Sequence, residues 1–397
     1  MIDRPDDPIA AVTDPDPYPY YADLVARRPF YRDDTLGMWI ASSARAVTAV
    51  LSSDLCRVRP PSEPVPKALL GSPAGDIFGR LARMNDGTAH ALLKPAVSAV
   101  TARFVTRAAE AAGRWARHLA EELEPETHPE RVTDLAFRLP IYTLASLLGV
   151  APDMLAETAA YVGDFVRCVA PGGTAEQLER GQAAASRLIA AFRGLPHSRN
   201  LEGDDTLLSA LRREASRGGG GDEGAAIVAN GIGFLSQAYE ATAGLIGNTL
   251  VVLGRHADTR RHLEADRGAL RSVIREVARY DPPVQNTRRF LARDAVVAGE
   301  AMRGGDGVLV IVAAANRDPY ANPHPTRFDT LRGEPRSFTF GMGAHACPGE
   351  MIATTITEAA VERLMACGVR TESLMEAMTY RASANTRIPM FGPAVRG

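Results

Sequence analysis

The sequence predicts a mainly α-helical fold with a minor β part, and three observations predict it. Residues 225–254 form one apolar stretch with a single charged residue, Glu240. From about 91 to 280, apolar residues recur with a helical period, broken near Pro171–Gly173 and at Gly218–Gly221. Short runs at 284–312 and 378–391 have the strand pattern instead.

Taken in order, residues 1–20 are polar and proline-rich and predict an extended leader, flexible over 1–13. Residues 36–52 hold an apolar run around Trp39, then a helical Ala/Val pattern. Residues 60–75, rich in Pro and Gly, predict an irregular loop. The run Gly218–Gly221 has no strand before it and no Lys-Ser/Thr after it, so it reads as a surface loop and not a phosphate cradle. A helix over 225–254 would run roughly 45 Å at 1.5 Å per residue. Being apolar all round, it is expected to be buried. A membrane span is the rival reading; five glycines, Asn230, Asn248, Gln237 and the central Glu240 argue against it. Leu270, Val273, Ile274 and Val277 make the apolar stripe of a helix ended by Pro282-Pro283. No repeat is visible, and residues 1–397 read as one continuous domain.

Composition excludes several classes. The chain is 46% hydrophobic with a net charge of −2, which favours neither nucleic acid nor an anionic membrane surface. Its cysteines, Cys56, Cys168, Cys347 and Cys367, are far apart and contain no Cys-x-x-Cys pair. That argues against a disulfide framework or structural zinc and fits a reducing cytoplasm. The first residues have no signal-peptide or anchor pattern.

One segment carries chemistry. Residues 338–350 read Phe-Thr-Phe-Gly-Met-Gly-Ala-His-Ala-Cys-Pro-Gly-Glu, placing Cys347 in a loop with Gly341, Gly343 and Gly349. A soft thiolate in a tight loop suits a haem iron, and the glycines allow close approach to a flat macrocycle. Phe340 is placed to cover the sulfur. The plainer reading is a glycine-rich turn with a small buried cysteine. The segment resembles the cysteine-ligand signature of the cytochrome P-450 (haem-thiolate) family, Phe-Gly-x-Gly-x-His-x-Cys-x-Gly, at every fixed position.

Further motifs extend the resemblance over about residues 14–391. Residues 237–242, Gln-Ala-Tyr-Glu-Ala-Thr, are similar to the family's Ala-Gly-x-(Asp/Glu)-Thr-(Thr/Ser), with the acid kept as Glu240 and the alcohol replaced by Ala241. In the family the acid–alcohol pair delivers protons to the oxygen chemistry. Here Glu240 keeps a relay role and the hydroxyl is missing. Thr242 lies about 100° further round the helix and is no simple substitute. Alternatively, Ala241 just fills space. Glu276 and Arg279 resemble the family's Glu-x-x-Arg, and residues 325–328 its Pro-x-Arg-Phe, so Arg327 is expected to complete a structural Glu–Arg–Arg network. His90 and Lys94 match its His-x-x-x-Arg, with Lys for Arg. Together with Arg289 and His345 they are the implied haem-propionate contacts; each alone would read as a surface ion.

The resemblance implies the P-450 fold, a triangular helical domain with small β-sheets, holding haem b between the Glu240 helix and the Cys347 loop. No flavin or nicotinamide fingerprint is present, so an external ferredoxin and ferredoxin reductase are implied. Arg332 and Arg336 mark either a basic docking face or a plain solvated loop. A weaker resemblance, carried by residues 237–242, Asn286 and the arginines after residue 56, is to bacterial members that nitrate aromatic amino acids with nitric oxide and O2. It implies an aromatic amino acid, or a peptide-like or carrier-bound intermediate of natural-product biosynthesis, held by Arg59, Tyr239 and Asn286. Ordinary hydroxylation, epoxidation or phenol coupling of another secondary metabolite is the alternative. A non-catalytic haem gas sensor is the alternative of a different class.

Overall fold

The computed structural model describes residues 5–195, 205–217 and 223–392. Its helices are α1 (Tyr18–Arg27), α2 (Ala44–Leu51), α3 (Pro73–Arg80), α4 (Gly87–Arg103), α5 (Val105–Leu123), α6 (Val132–Leu148), α7 (Leu155–Val169), α8 (Ala175–Arg193), α9 (Leu207–Arg217), α10 (Glu223–Arg255), α11 (Ala257–Ala265), α12 (Leu270–Tyr280), α13 (Val312–Asn316) and α14 (Glu350–Ala366). The Gly218–Gly221 run lies outside the described residues.

A five-stranded sheet packs beside the helices in the order β1-β2-β7-β4-β3, from β1 (Phe30–Asp33), β2 (Met38–Ala41), β3 (Cys56–Arg57), β4 (Thr287–Leu291) and β7 (Gly307–Val310). β5 (Ala295–Val297) pairs with β6 (Glu300–Met302), and β8 (Met378–Tyr380) with β9 (Pro389–Phe391). Alternation along the strands separates two faces of the larger sheet. Ile40 and Leu309 pack against Tyr21 and Leu24 of α1, whereas Ala41, Val308 and Val310 pack against Val47 and Val50 of α2.

The main core is helical, and α10 runs through it. Ile227, Ile232 and Leu235 are buried, and from Thr242 to Leu253 the helix is buried on every side, Leu245, Ile246, Val251 and Val252 pointing in different directions. That follows from its apolar sequence, since such a helix is stable only when surrounded. No helix of the described residues is long and apolar enough to cross a membrane.

Two expectations need correction. Residues 10–13 are a short 3-10 helix and not part of a flexible leader: Ala11 and Val12 are fully buried. Their burial under α1 supplies what proline-rich local sequence does not signal. The loop over 60–75 is shorter than expected, because Ser72 caps α3 by accepting from the Gly75 N–H, with Pro73 in the first turn.

Candidate active site

The cysteine loop is fixed by its backbone. The Cys347 N–H donates to the Phe340 carbonyl at 2.7 Å, and the Gly349 N–H points at Sγ at 3.3 Å. Gly341 and Gly343 have φ of +68° and +66°, a region costly for any residue with a Cβ. At Gly343 a Cβ would also stand 3.0 Å from the Leu51 carbonyl oxygen. The Cys347 side chain keeps accessible surface. Burial pushes its pKa up; the Gly349 N–H and the charges of Arg83 and Lys94 pull the other way.

A basic cluster lies beside the thiol. The rings of His90 and His345 are 4.3 Å apart. His345 Nε2 is 3.0 Å from Asp86 Oδ1, and Asp86 also accepts from the Val58 N–H at 3.0 Å. Burial alone would raise the Asp86 carboxyl, but these bonds and the charges of His345 and Arg57 hold it below the usual range. His90 is lowered by burial and by the nearby His345 and Lys94, and its Nε2 is buried with no partner. Lys94 Nζ donates to the Ala346 carbonyl. Arg289 is buried and bonds only to neutral oxygens of Thr287 and Arg288. Burial pulls its pKa down, and Arg83 adds to the effect. Arg83, on the turn between α3 and α4, is within electrostatic reach of both Cys347 and Arg289. Sequence reasoning missed Arg83 and Asp86, since neither sits in a spaced motif.

These residues fit a haem. The thiol is the soft donor, the cations outnumber the carboxylates Asp86 and Glu350, and His90 Nε2 lacks the acceptor that a propionate oxygen would provide.

On α10, Gln237, Ala238 and Ala241 keep accessible surface while residues 242–253 are buried. Gln237 and Ala241 are four residues apart and so share a face of the helix. Thr242 is buried and faces elsewhere. Glu240 is not the lone carboxylate expected. Its Oε1 is 3.2 Å from Arg381 Nη2, and Thr386 Oγ1 donates to its Oε2 at 3.4 Å. Both partners lie between β8 and β9, a contact between distant segments that local pattern does not report.

Arg59, Tyr239 and Asn286 each have protein partners. Arg59 Nη2 donates to the Glu63 carbonyl and lies 3.7 Å from the Glu63 carboxylate, its guanidinium lies 5.4 Å from the centre of the Phe78 ring, and its Nε is buried without a partner. Tyr239 packs on Phe137 at 4.9 Å and interacts with Arg167 of α7. Asn286 Nδ2 donates to the Ala384 carbonyl and braces the turn between β8 and β9.

The Glu276 network is also corrected. Arg279 makes a bidentate pair with Glu276 at 2.7 and 2.9 Å, with both side chains buried. The second arginine is Arg332, 3.4 Å from Glu276 Oε1, and not Arg327. Arg327 is exposed and contributes its carbonyl, which accepts from Arg279 and Arg332. The turns of residues 323–329 bring the longer reach of Arg332 back under α12, which the Pro-x-Arg-Phe spacing does not disclose.

The sequence profile described as Cytochrome P450 matches residues 222–366. The chain is similar to 6-deoxyerythronolide B hydroxylase of Saccharopolyspora erythraea, 31% identical over 360 residues and 87% of each chain. It is 23% identical over 356 residues, 88% of each chain, to a protein of Bacillus subtilis named biotin biosynthesis cytochrome P450. The crystal structure of P450BioI with a hexadec-9Z-enoic-acid-ligated acyl carrier protein superposes with a TM-score of 0.78 at 22% identity, over 95% of this chain and 98% of that one.

Proposed function

The chain belongs to the cytochrome P450 family of bacterial haem-binding monooxygenases, and on that premise we propose that it oxidises an intermediate of a biosynthetic pathway as a single haem domain. The observation that carries this is the accessible Cys347 thiol with Arg83 and Lys94 within electrostatic reach and the adjacent rings of His90 and His345 in the same cluster. The biosynthetic role in the name of one relative supports the pathway reading.

Bound haem, with a thiolate on its iron, supplies the one-electron and O2 chemistry. In our reading Cys347 is the iron ligand, with the Gly349 N–H moderating its sulfur and Phe340 beside it. His90, Lys94, Arg289 and His345 hold the propionates, and Arg83 joins them. Glu240 holds and passes a proton at its carboxylate. Electrons come from an external ferredoxin and its reductase in the cytoplasm. Because Arg332 is engaged by Glu276, the remaining candidate for a basic docking face is Arg336.

A second reading is nitration of an aromatic amino acid, free or bound to a peptide or carrier; Ala241 in place of an alcohol is the observation that favours it. The P450BioI complex offers a precedent for a carrier-bound substrate in this fold.

Two measurements test the proposal. The ferrous–CO adduct is expected to show the red-shifted Soret band of thiolate ligation, and Cys347→Ala is expected to abolish it. Persistence of the band in the variant overturns the ligand assignment. Titration of the ferric protein with tyrosine, tryptophan and short peptides containing them, and separately with a macrolide lactone, reads the substrate class from the Soret shift. A response to the lactone alone removes the amino-acid reading.

A further inference from the structure

Position 241 lacks the hydroxyl that follows the acid in the family signature, yet Glu240 is not without a hydroxyl donor. Thr386 comes from the turn between β8 and β9, and its Oγ1 lies 3.4 Å from Glu240 Oε2. Ser383 Oγ is 2.8 Å from Thr386 Oγ1. The direction of this chain follows from its other bonds. Ser383 Oγ accepts from the backbone N–H of Thr386 at 3.0 Å and of Asn385 at 3.3 Å. With two N–H donors on its oxygen, Ser383 has its own proton to give, and of the two acceptors in reach, Thr386 Oγ1 at 2.8 Å is nearer than Asn385 Oδ1 at 3.4 Å. Thr386 donates to the carboxylate, which can only accept when ionised, so Thr386 Oγ1 must accept from Ser383. Both hydroxyls therefore point their protons toward Glu240. Two N–H donors on Ser383 Oγ make its proton easier to release. The outer end reaches solvent at Asn385, which is exposed, while Thr386 is buried.

Arg381 occupies the other oxygen of Glu240 at 3.2 Å, so the carboxylate is held by two groups of one turn. Asn286 fixes that turn through the Ala384 carbonyl, and the Gln285 N–H fixes it through the Asn385 carbonyl at 2.9 Å. The array is braced against the body of the protein on both sides of the relay.

We propose that Ser383 and Thr386 form a proton feed into Glu240, entering from the surface of the β8–β9 turn and standing in for the alcohol absent at position 241. In one transfer the 3.3 Å bond from the Asn385 N–H opens, and Ser383 Oγ takes a proton from a solvent hydronium ion, leaving water, as its own proton passes to Thr386 Oγ1. The Thr386 proton passes to Glu240 Oε2. Each hydroxyl ends with one proton and the carboxylate gains one, so no oxidant or further reactant is needed. The 3.4 Å step is long for a hydrogen bond, as catalytic bonds commonly are before a ligand tightens them. This inference rests on the monooxygenase reading of the same site.

The test uses the haem-loaded full chain and its Thr386→Val and Thr386→Ser variants. The first readout needs no turnover. The infrared carboxylate band of Glu240, isolated by difference against Glu240→Gln, is expected to shift in Thr386→Val and to return in Thr386→Ser. The second readout uses O2 as the probe, with ferredoxin and its reductase supplying electrons and no organic substrate. The share of consumed O2 released as hydrogen peroxide is expected to rise several-fold in Thr386→Val. The solvent isotope effect on O2 consumption is expected to change with it. Adding Ala241→Thr to Thr386→Val is expected to lower the peroxide share again, because a hydroxyl then follows Glu240 on its own helix. A purely structural Thr386 would not be rescued from that position. An unchanged band overturns the contact, and a shifted band with an unchanged peroxide share overturns the feed. Failure of the monooxygenase reading is distinct, because it appears in the wild type as a protein that consumes no O2 with electrons supplied.

Discussion

Asp86 joins two segments of the site, bonding His345 beside the cysteine and the Val58 N–H after β3. Its folded-state pKa lies below the ordinary value near 4. The stability it contributes is therefore present above that value and is lost as pH falls through the lower, folded-state pKa. His90, also held below its ordinary value near 6.5, works in the same direction in the haem-free protein. The unfolded chain binds that proton more readily, so stability starts to decline as pH falls below about 6.5. The thermal midpoint of the haem-free protein is expected to fall from about pH 7 to about pH 3, with His90 acting below about 6.5 and Asp86 below about 4. Asp86→Asn is expected to flatten the acid end of the curve and His90→Gln the upper part, as read by calorimetry at a series of pH values. At this scale, legibility depended on spacing. His90, Lys94 and His345 stand in recognisable patterns, and the structure brings them within one cluster. Arg83 is a single arginine in a short turn, and only the packing of that turn puts it there.

At the scale of elements, the cysteine loop packs onto the end of α2. Gly343 is where the two meet, with positive φ and the Leu51 carbonyl at 3.0 Å from a built Cβ. Gly343→Ala is expected to cost about 1–2 kcal/mol from the left-handed backbone alone. Displacement of the loop is expected to follow, read as a lower melting temperature and faster loss of haem to an apomyoglobin acceptor. An unchanged haem-loss rate would mean that the loop adjusts without moving the thiol. Long elements were readable because their pattern is self-sufficient: α10 is apolar on every face, and α12 has a clean stripe. Strands β1 and β3 were not, being four and two residues long and set by partners far along the chain. The start of α3 had a usable signal in Ser72-Pro73, hidden within a run that otherwise reads as loop.

For the whole molecule, two buried charged clusters tie distant segments together. In the first, Glu276 pairs with Arg279 and Arg332 and accepts from the Asp329 N–H at 3.0 Å. Glu276→Ala strands a fully buried Arg279 and is expected to destabilise by about 3–5 kcal/mol. Arg332→Ala is expected to cost less, and Arg327→Ala to stay within about 0.5 kcal/mol, as ordinary surface changes do. Chemical denaturation of the three variants checks the order, and a large loss at Arg327 would restore it as the network's third member. The second cluster centres on Asp281, which accepts from Arg387 at 3.1 Å and from the Tyr18 hydroxyl at 2.5 Å. Sequence spacing could not reveal it, since Tyr18 and Asp281 are 263 residues apart.

Arg387 also donates to the carbonyls of Val12, Asp14 and Pro15, as many as 375 positions earlier in the chain. On the ribosome, then, these carbonyls emerge long before the guanidinium that closes on them. Loop closure over such a distance adds an entropic barrier at the end of folding, after local helices have formed. Ala11, Val12 and Tyr21, fully or almost fully buried in the finished fold, spend that interval in water. The nascent chain therefore carries an apolar segment that a chaperone or an aggregate can capture until Arg387 has emerged and closed on it.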